Sequence, residues 1–280
     1  MSCANPSQRL GPMLTGLVLA GQRPPSDALA GVWGEQHRAL VDVNGVPMLV
    51  RVIRAMRAAR TIDRLLISTD DPAALRAVPE LSRLLAERAV TLHDSLSSPS
   101  RSVADVLEGL SDGESMLVAT ADHALLTPEI VDHFVEAGAT DAADVHVALV
   151  AESLIRSRFP ETTRTYLRLR GEAWSGANLF AFRTPTARRA AAFWIRAEQF
   201  RKRPWRLVSA LGPMSLLLFA LGRLDLDAAF DRVSRAAKAR VRPVRLPFPE
   251  AAIDVDRPAD LALVSRILSQ RDATAASNLV

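Results

Sequence analysis

Leu14-Thr-Gly-Leu-Val-Leu-Ala-Gly21 is the stretch that decides the fold. It is short, rich in branched aliphatics, and stops at an Ala-Gly pair, the pattern of a buried parallel strand feeding a tight turn. Gln22 to Leu40 follows as a long, Gly- and Pro-containing loop before regular structure resumes at Pro47. Loops of that length are seldom idle connections. At the carboxyl end of a first parallel strand such a loop lies where open α/β sheets bind ligands. The loop is therefore a candidate ligand-binding loop.

The chain has 280 residues, 49% of them hydrophobic and only 5% aromatic, so its core is built from Ala, Leu and Val. That length buries a sizeable core. Cys3 is the one cysteine, which rules out an internal disulfide and suits a cytoplasmic protein. Residues 1–12 are polar, lack the basic-then-apolar order of a signal peptide, and read as disordered. The longest apolar runs, Leu216 to Leu221 among them, are far too short to span a bilayer. The net charge of +4 is mild, and Lys202 and Lys238 are the only lysines, so any single Arg is weak evidence for function. Basic residues are spread along the chain apart from Arg201-Lys-Arg-Pro-Trp-Arg206, and no nucleic-acid partner is indicated.

Short apolar runs alternate with amphipathic stretches through the first half. Pro47 to Arg60 places Met48, Leu49, Val52, Ile53 and Met56 on one face, with Pro47 at the first helical position. Strands are expected at 64–69, 90–93, 115–120 and 145–150, with helices at 79–88, 102–110 and from Pro128, where Thr127 is the cap. The second half alternates at 164–170 as an edge strand would, offers another strand at 176–182, and then turns helical from Pro185 to about Ala239. Val241 to Leu246 returns to the sheet as a peripheral strand because it contains Pro243. A last helix begins at Pro258, and Ser269 onward reads as a frayed tail. The expected class is α/β: a mostly parallel open sheet with helices on both faces and a helical insertion in the C-terminal half. The expected organisation is one domain over 13–270, with the insertion at about 186–240 and a flexible tail at 271–280.

Few residues are placed to carry chemistry. The first loop has neither the Gly-x-Gly-x-x-Gly of dinucleotide folds nor the Gly-Lys-Ser/Thr of a P-loop. Ala20-Gly21 with Arg23 and Arg38 remain, and guanidinium groups bind phosphate oxygens in a fork. On composition alone a solvated loop with incidental arginines is the stronger reading. Asp122 follows an apolar strand and is either a Mg²⁺ ligand at the sheet's carboxyl edge or the cap of the next turn. Asp254 and Asp256, spaced i, i+2 on an extended segment, either complete a metal site or cap the helix at Pro258. His37, His93 and His123 lack metal-ligand spacing, and neither a Gly-x-Ser-x-Gly elbow nor a candidate cysteine nucleophile is present.

Together these stretches resemble the MobA-like nucleotidyltransferases of the Rossmann-like GT-A superfamily. Leu17-Val-Leu-Ala-Gly21 resembles the family's Leu-x-Ala-Gly opening. His37-Arg38-Ala-Leu40 and Gly45-Val-Pro-Met-Leu49 resemble its Lys-x-Leu and Gly-x-Pro-Met/Leu-Leu. Thr120-Ala-Asp122 falls where the family has a metal-binding Asp, and Asp254-Val-Asp256-Arg-Pro-Ala-Asp260-Leu resembles its closing motif. The resemblance runs from about Leu14 to Leu268, with 193–238 outside the shared core.

The resemblance implies a Mg²⁺-dependent transfer of a nucleoside monophosphate from an NTP to a phosphorylated small-molecule acceptor, releasing pyrophosphate. It implies nucleotide contacts at Leu19, Ala20, Gly21 and Ser102, metal ligands at Asp122 and Asp256, and acceptor contacts at Asn178 and Gly176. Arg38 and Arg23 would neutralise the reacting phosphates, with Arg38 standing at the signature lysine. That exchange keeps open a nucleotide-binding regulator or partner subunit with weakened turnover. An NDP-sugar glycosyltransferase is less favoured, because no Asp-x-Asp lies near mid-chain. Large apolar side chains beside the basic cluster in 193–224 read first as an ordinary helical subdomain, and second as a peripheral membrane contact or a cover over an amphiphilic acceptor. Nothing in the sequence specifies base, acceptor or oligomeric state.

Overall fold

The computed structural model describes residues 14–22, 37–198 and 212–277. The expected disordered start, Arg23, and the cluster at 201–206 lie outside the described residues. β1 (Leu14–Leu19) is buried on both faces, with Leu14 and Val18 in one apolar cluster and Leu17 in another. Gly16 lets a helix close over it: a Cβ there would lie 2.6 Å from Leu65 Cδ1 and 2.9 Å from Met56 Cε.

Between Leu40 and Pro47 the chain makes a hairpin, β2 (Asp42–Val43) and β3 (Val46–Pro47). Its two-residue turn, Asn44 (φ 51°) and Gly45 (φ 77°), has both central residues at positive φ, as a type I′ turn demands. Pro47 therefore ends a strand instead of opening the helix α1 (Met48–Ala58), which buries Met48, Leu49, Val52, Ile53 and Met56 as their spacing predicts.

β4 (Ile62–Thr69), α2 (Pro72–Arg76), α3 (Pro79–Ala86), β5 (Thr91–Asp94) and α4 (Pro99–Gly109) follow. The last of these begins three residues before the expected Ser102, because Pro99 suits a first turn. β6 (Ser115–Thr120) leads to α5 (Pro128–Gly138), capped by Thr127, whose hydroxyl accepts from the Ile130 amide. Then come β7 (Val145–Ala151), α6 (Glu152–Arg158), β8 (Leu167–Arg168) and β9 (Ala173–Phe182). The expected edge strand at 164–170 shrinks to the two residues of β8. Helices α7 (Ala187–Glu198), α8 (Pro213–Ala220) and α9 (Leu226–Ala237) precede β10 (Val241–Arg245) and α10 (Pro258–Ser277). The expected fraying from Ser269, and the flexible tail from 271, are corrected in part: the helix continues to Ser277.

The strands run β10-β7-β9-β6-β1-β4-β5, with β8 paired to β9. β6, β1, β4 and β5 are parallel, β9 is antiparallel to both neighbours, and β10 is parallel to β7 at an edge, where Pro243 is tolerated. One face packs against α1, α3 and α5, and the other against α4, α7 and α9. At the start of the stretch expected as an insertion, Ala187, Ala190 and Ala191 are buried in one cluster with Val103, Val106 and Leu107. Among the described residues no helix is long and apolar enough to cross a membrane.

Candidate active site

The parallel strands all end at one edge, and β1 sets its floor. The Ala20 amide donates to Ser68 O at 2.8 Å and the Gln22 amide to Asp70 Oδ1 at 3.1 Å, so the turn after β1 is held taut from both sides of Gly21. A Cβ on Gly21 would sit 2.6 Å from Ser95 Oγ, which leaves no room there for a side chain. Ser95 opens the Ser-rich turn before α4. Ser102 Oγ accepts from the Leu96 amide at 2.9 Å, so this hydroxyl shapes the turn.

After β6 the chain places Asp122 at the same edge. The Val255 amide donates to Asp122 O at 3.0 Å, and this backbone bond draws the segment before α10 alongside. Arg38, on the short 3-10 turn Arg38–Leu40, reaches between them. Its Nη2 donates to Asp122 Oδ2 at 2.6 Å, to Val255 O at 3.1 Å, and to Asp256 Oδ1. The hydroxyl of Thr120 donates to the other Asp122 oxygen at 2.5 Å. Asp254 turns elsewhere: it pairs with Arg164 and accepts from Asn178 Nδ2 at 2.8 Å. At the start of α10, Asp260 accepts from the Asp256 and Arg257 amides at 3.2 and 2.9 Å.

Asn178 owes its place to an irregularity in β9, where the register against β7 shifts between Val147 and Leu149 and Asn178 takes φ 52°. A bulge of this kind re-aims a side chain, and Asn is among the few residues that tolerate the conformation. Phe180, two residues on, packs on Trp194 with ring centroids 4.9 Å apart. These groups line a cavity of about 770 Å³ that runs from Leu19, Ala20 and Gly21 past Ser95–Ser98 and Ser102 to Arg38, Asp122, Asn178, Asp254 and Asp256.

Electrostatics divides the three acids. Burial raises the Asp122 carboxyl above its ordinary range, Arg38 opposes this, and Asp254 and Asp256 add to the rise. Burial also acts to raise Asp254, but Arg164 and Asn178 outweigh it and hold that carboxyl below its usual range. His123, fully enclosed next to Asp122, is lowered to about 4 by burial and stays neutral at physiological pH.

The oxygens around Arg38 Nη2 are all hard donors: two carboxylates and a carbonyl already gather about one cationic nitrogen. That donor set suits Mg²⁺, which prefers oxygen and is commonly held by one or two carboxylates plus substrate phosphates. Among the described residues no group of three or more His, Cys, Asp or Glu is arranged as a metal site, so phosphate oxygens would complete the shell.

The structure therefore brings Leu19, Ala20, Gly21, Ser102, Arg38, Asp122, Asp256 and Asn178 to one cavity. Gly176 is exposed on β9 and is not among the lining residues. The sequence reading missed Arg164, which looked like one more arginine in an alternating strand, and the wall formed by Phe180, Trp194 and Glu198. A Ser-His-Asp relay does occur elsewhere, His93 lying 3.1 Å from Ser68 Oγ and 2.9 Å from Asp105 Oδ2. Ser68 is fully buried, so this relay ties β4, β5 and α4 together and offers no nucleophile.

A mostly parallel sheet thus presents a tight Gly turn, an arginine and two convergent aspartates at its carboxyl edge, and the class of protein is a nucleotidyltransferase. The chain belongs to the MobA-like NTP transferase family, whose domain model matches residues 16–203. Among solved structures it is similar to a hypothetical transferase from Thermus thermophilus, with 30% identity and a TM-score of 0.72 over 89% of this chain and 99% of that one. CMP:2-keto-3-deoxy-manno-octonic acid synthetase complexed with CTP shares the fold at 14% identity and TM-score 0.56, covering 93% of this chain and 100% of that one. So does 4-diphosphocytidyl-2C-methyl-D-erythritol synthase, at 13% and 0.55, covering 92% of this chain and 99% of that one. No curated protein matches the sequence.

Proposed function

We propose that the chain joins a nucleoside monophosphate from an NTP to a phosphorylated small-molecule acceptor and releases pyrophosphate, with Mg²⁺ at Asp122 and Asp256. The observation that carries this is the meeting of both carboxylates on one Arg38 nitrogen, across the cavity from Leu19–Gly21. The cavity volume falls within the range of roughly 300–1,000 Å³ typical of small-molecule sites.

An acceptor phosphate oxygen attacks the α-phosphorus, the bond to the β-phosphate oxygen breaks, and pyrophosphate leaves. The acceptor is already ionised at neutral pH, so no general base is needed. That agrees with a site beside which His123, the residue after Asp122, is buried and neutral. Bound Mg²⁺ supplies charge neutralisation as a Lewis acid. Arg38 neutralises phosphate charge, Gly21 leaves space for close approach, and the Arg164–Asp254–Asn178 chain fixes the wall where the acceptor docks.

Pyrophosphate release from a panel of NTPs and sugar, polyol, cofactor or lipid-precursor phosphates tests the reading. Turnover lowered about 10²–10³-fold by Asp122→Asn supports it. Nucleotide binding without turnover against every acceptor would instead favour a regulator, the reading kept open by Arg38 standing where the family resemblance implies a lysine.

A further inference from the structure

Arg38 holds the very place a divalent cation needs. Its Nη2 sits among Asp122 Oδ2, Asp256 Oδ1 and Val255 O, and two cations on the same carboxylates repel. A guanidinium cannot leave by losing its proton, since it stays charged at any accessible pH. It leaves by rotating, and most readily toward a better anionic partner. A triphosphate is one, because phosphate oxygens accept the guanidinium fork. Arg38 lines the same cavity as Leu19, Ala20 and Gly21, so its side chain can pass from acids to phosphates without crossing the core.

We propose that Arg38 is an internal counter-ion that shuts the Asp122–Asp256 pair to free divalent cations and yields it only to a cation arriving with a triphosphate. This rests on the nucleotidyl-transfer reading of the site. Its consequence is strong positive coupling between metal and nucleotide, with almost no affinity for metal alone.

Mn²⁺ without nucleotide is the probe, its free concentration followed by electron paramagnetic resonance with the full chain. Wild type is expected to bind weakly, and Arg38→Met at least about tenfold more tightly, because the guanidinium no longer sits between the two carboxylates to repel the metal. Asp122→Asn added to Arg38→Met should abolish the gain, and Arg38→Lys should fall between wild type and Arg38→Met. Circular dichroism confirms folding of each variant. Equal Mn²⁺ affinity in wild type and Arg38→Met overturns the proposal. A thermal-shift series of wild type with Mg²⁺ and ATP, CTP, GTP or UTP separates the two levels of failure. Stabilisation by a nucleotide alongside equal Mn²⁺ affinities sinks the counter-ion role alone. No stabilisation by any nucleotide sinks the underlying reading as well.

Discussion

Two aspartates at opposite edges of the sheet show how the same residue serves different ends. Asp132, on α5 at the amino edge, accepts from the amides of Arg60 and Thr61 at 3.2 and 3.1 Å, from Thr61 Oγ1 at 2.9 Å and from Arg60 Nε at 3.2 Å. Asp122, at the carboxyl edge, is held by the Thr120 hydroxyl and the Arg38 guanidinium. Backbone amides cannot swing away, so Asp132 is locked and pins α5 to the start of β4. Side-chain donors can rotate, so Asp122 is poised to change partners. A carboxylate satisfied by groups that can leave is suited to exchange; one satisfied by groups that cannot is suited to support.

The sharpest way to break this contrast is to neutralise each acid in turn. Asp122→Asn should lower kcat about 10²–10³-fold, the scale seen when a charge-stabilising group is removed from an active site. Its Tm should move by only about 2 °C. Pyrophosphate-release kinetics and calorimetry check the pair of outcomes, and a large Tm loss would make Asp122 a support like Asp132. Asp132→Ala should do the reverse, costing about 2–4 kcal/mol in urea unfolding because two amides lose their acceptor, with kcat of the folded fraction unchanged.

Gly21→Ala tests the floor of the carboxyl edge. The added methyl meets Ser95 Oγ, so nucleotide affinity measured by titration calorimetry should fall about tenfold, each tenfold being about 1.4 kcal/mol. Removing the obstructing hydroxyl in Gly21→Ala/Ser95→Ala should restore most of it. If the double variant binds no better, the glycine serves something other than close approach.

The smallest effect concerns His146 on β7, far from the exchangeable groups. Burial lowers its pKa below 6.5, against the pull of Asp141, 2.9 Å from Nε2. The unfolded chain then binds a proton that the folded chain refuses, so this contribution is intact above pH 6.5 and is lost as pH falls below it. His146→Gln should flatten the Tm decline between pH 7.5 and pH 5.5 by about 2 °C. An unchanged slope would assign acid sensitivity to other groups.

Much of this was legible beforehand, because local pattern carries it. β1, β4, β6 and β7 are apolar runs bounded by turn residues, α1 shows its period, and α5 shows both period and cap. The β2–β3 hairpin was legible too, in Asn44-Gly45, a strong short-range turn signal that the reading passed over for a helix start at Pro47. Site residues were legible only as types: an Asp after a strand, an Arg in a loop. Their roles were not. Arg38, Asp122 and Asp256 are separated by 84 and 218 positions from the arginine, and no periodicity links them.

Residue order alone settled the alternation of strand and helix, and with it a sheet whose parallel strands end at one edge, since apolar period and turn chemistry act within a few residues. Tertiary structure decided the rest. A backbone bond from Val255 to Asp122 set which acid stands beside which, a slip in the register of β9 turned Asn178 into the cavity, and Arg164 drew Asp254 away from Arg38. Charges act through space and depend on burial, so the same aspartate could become a support or a site only once the fold had chosen its neighbours.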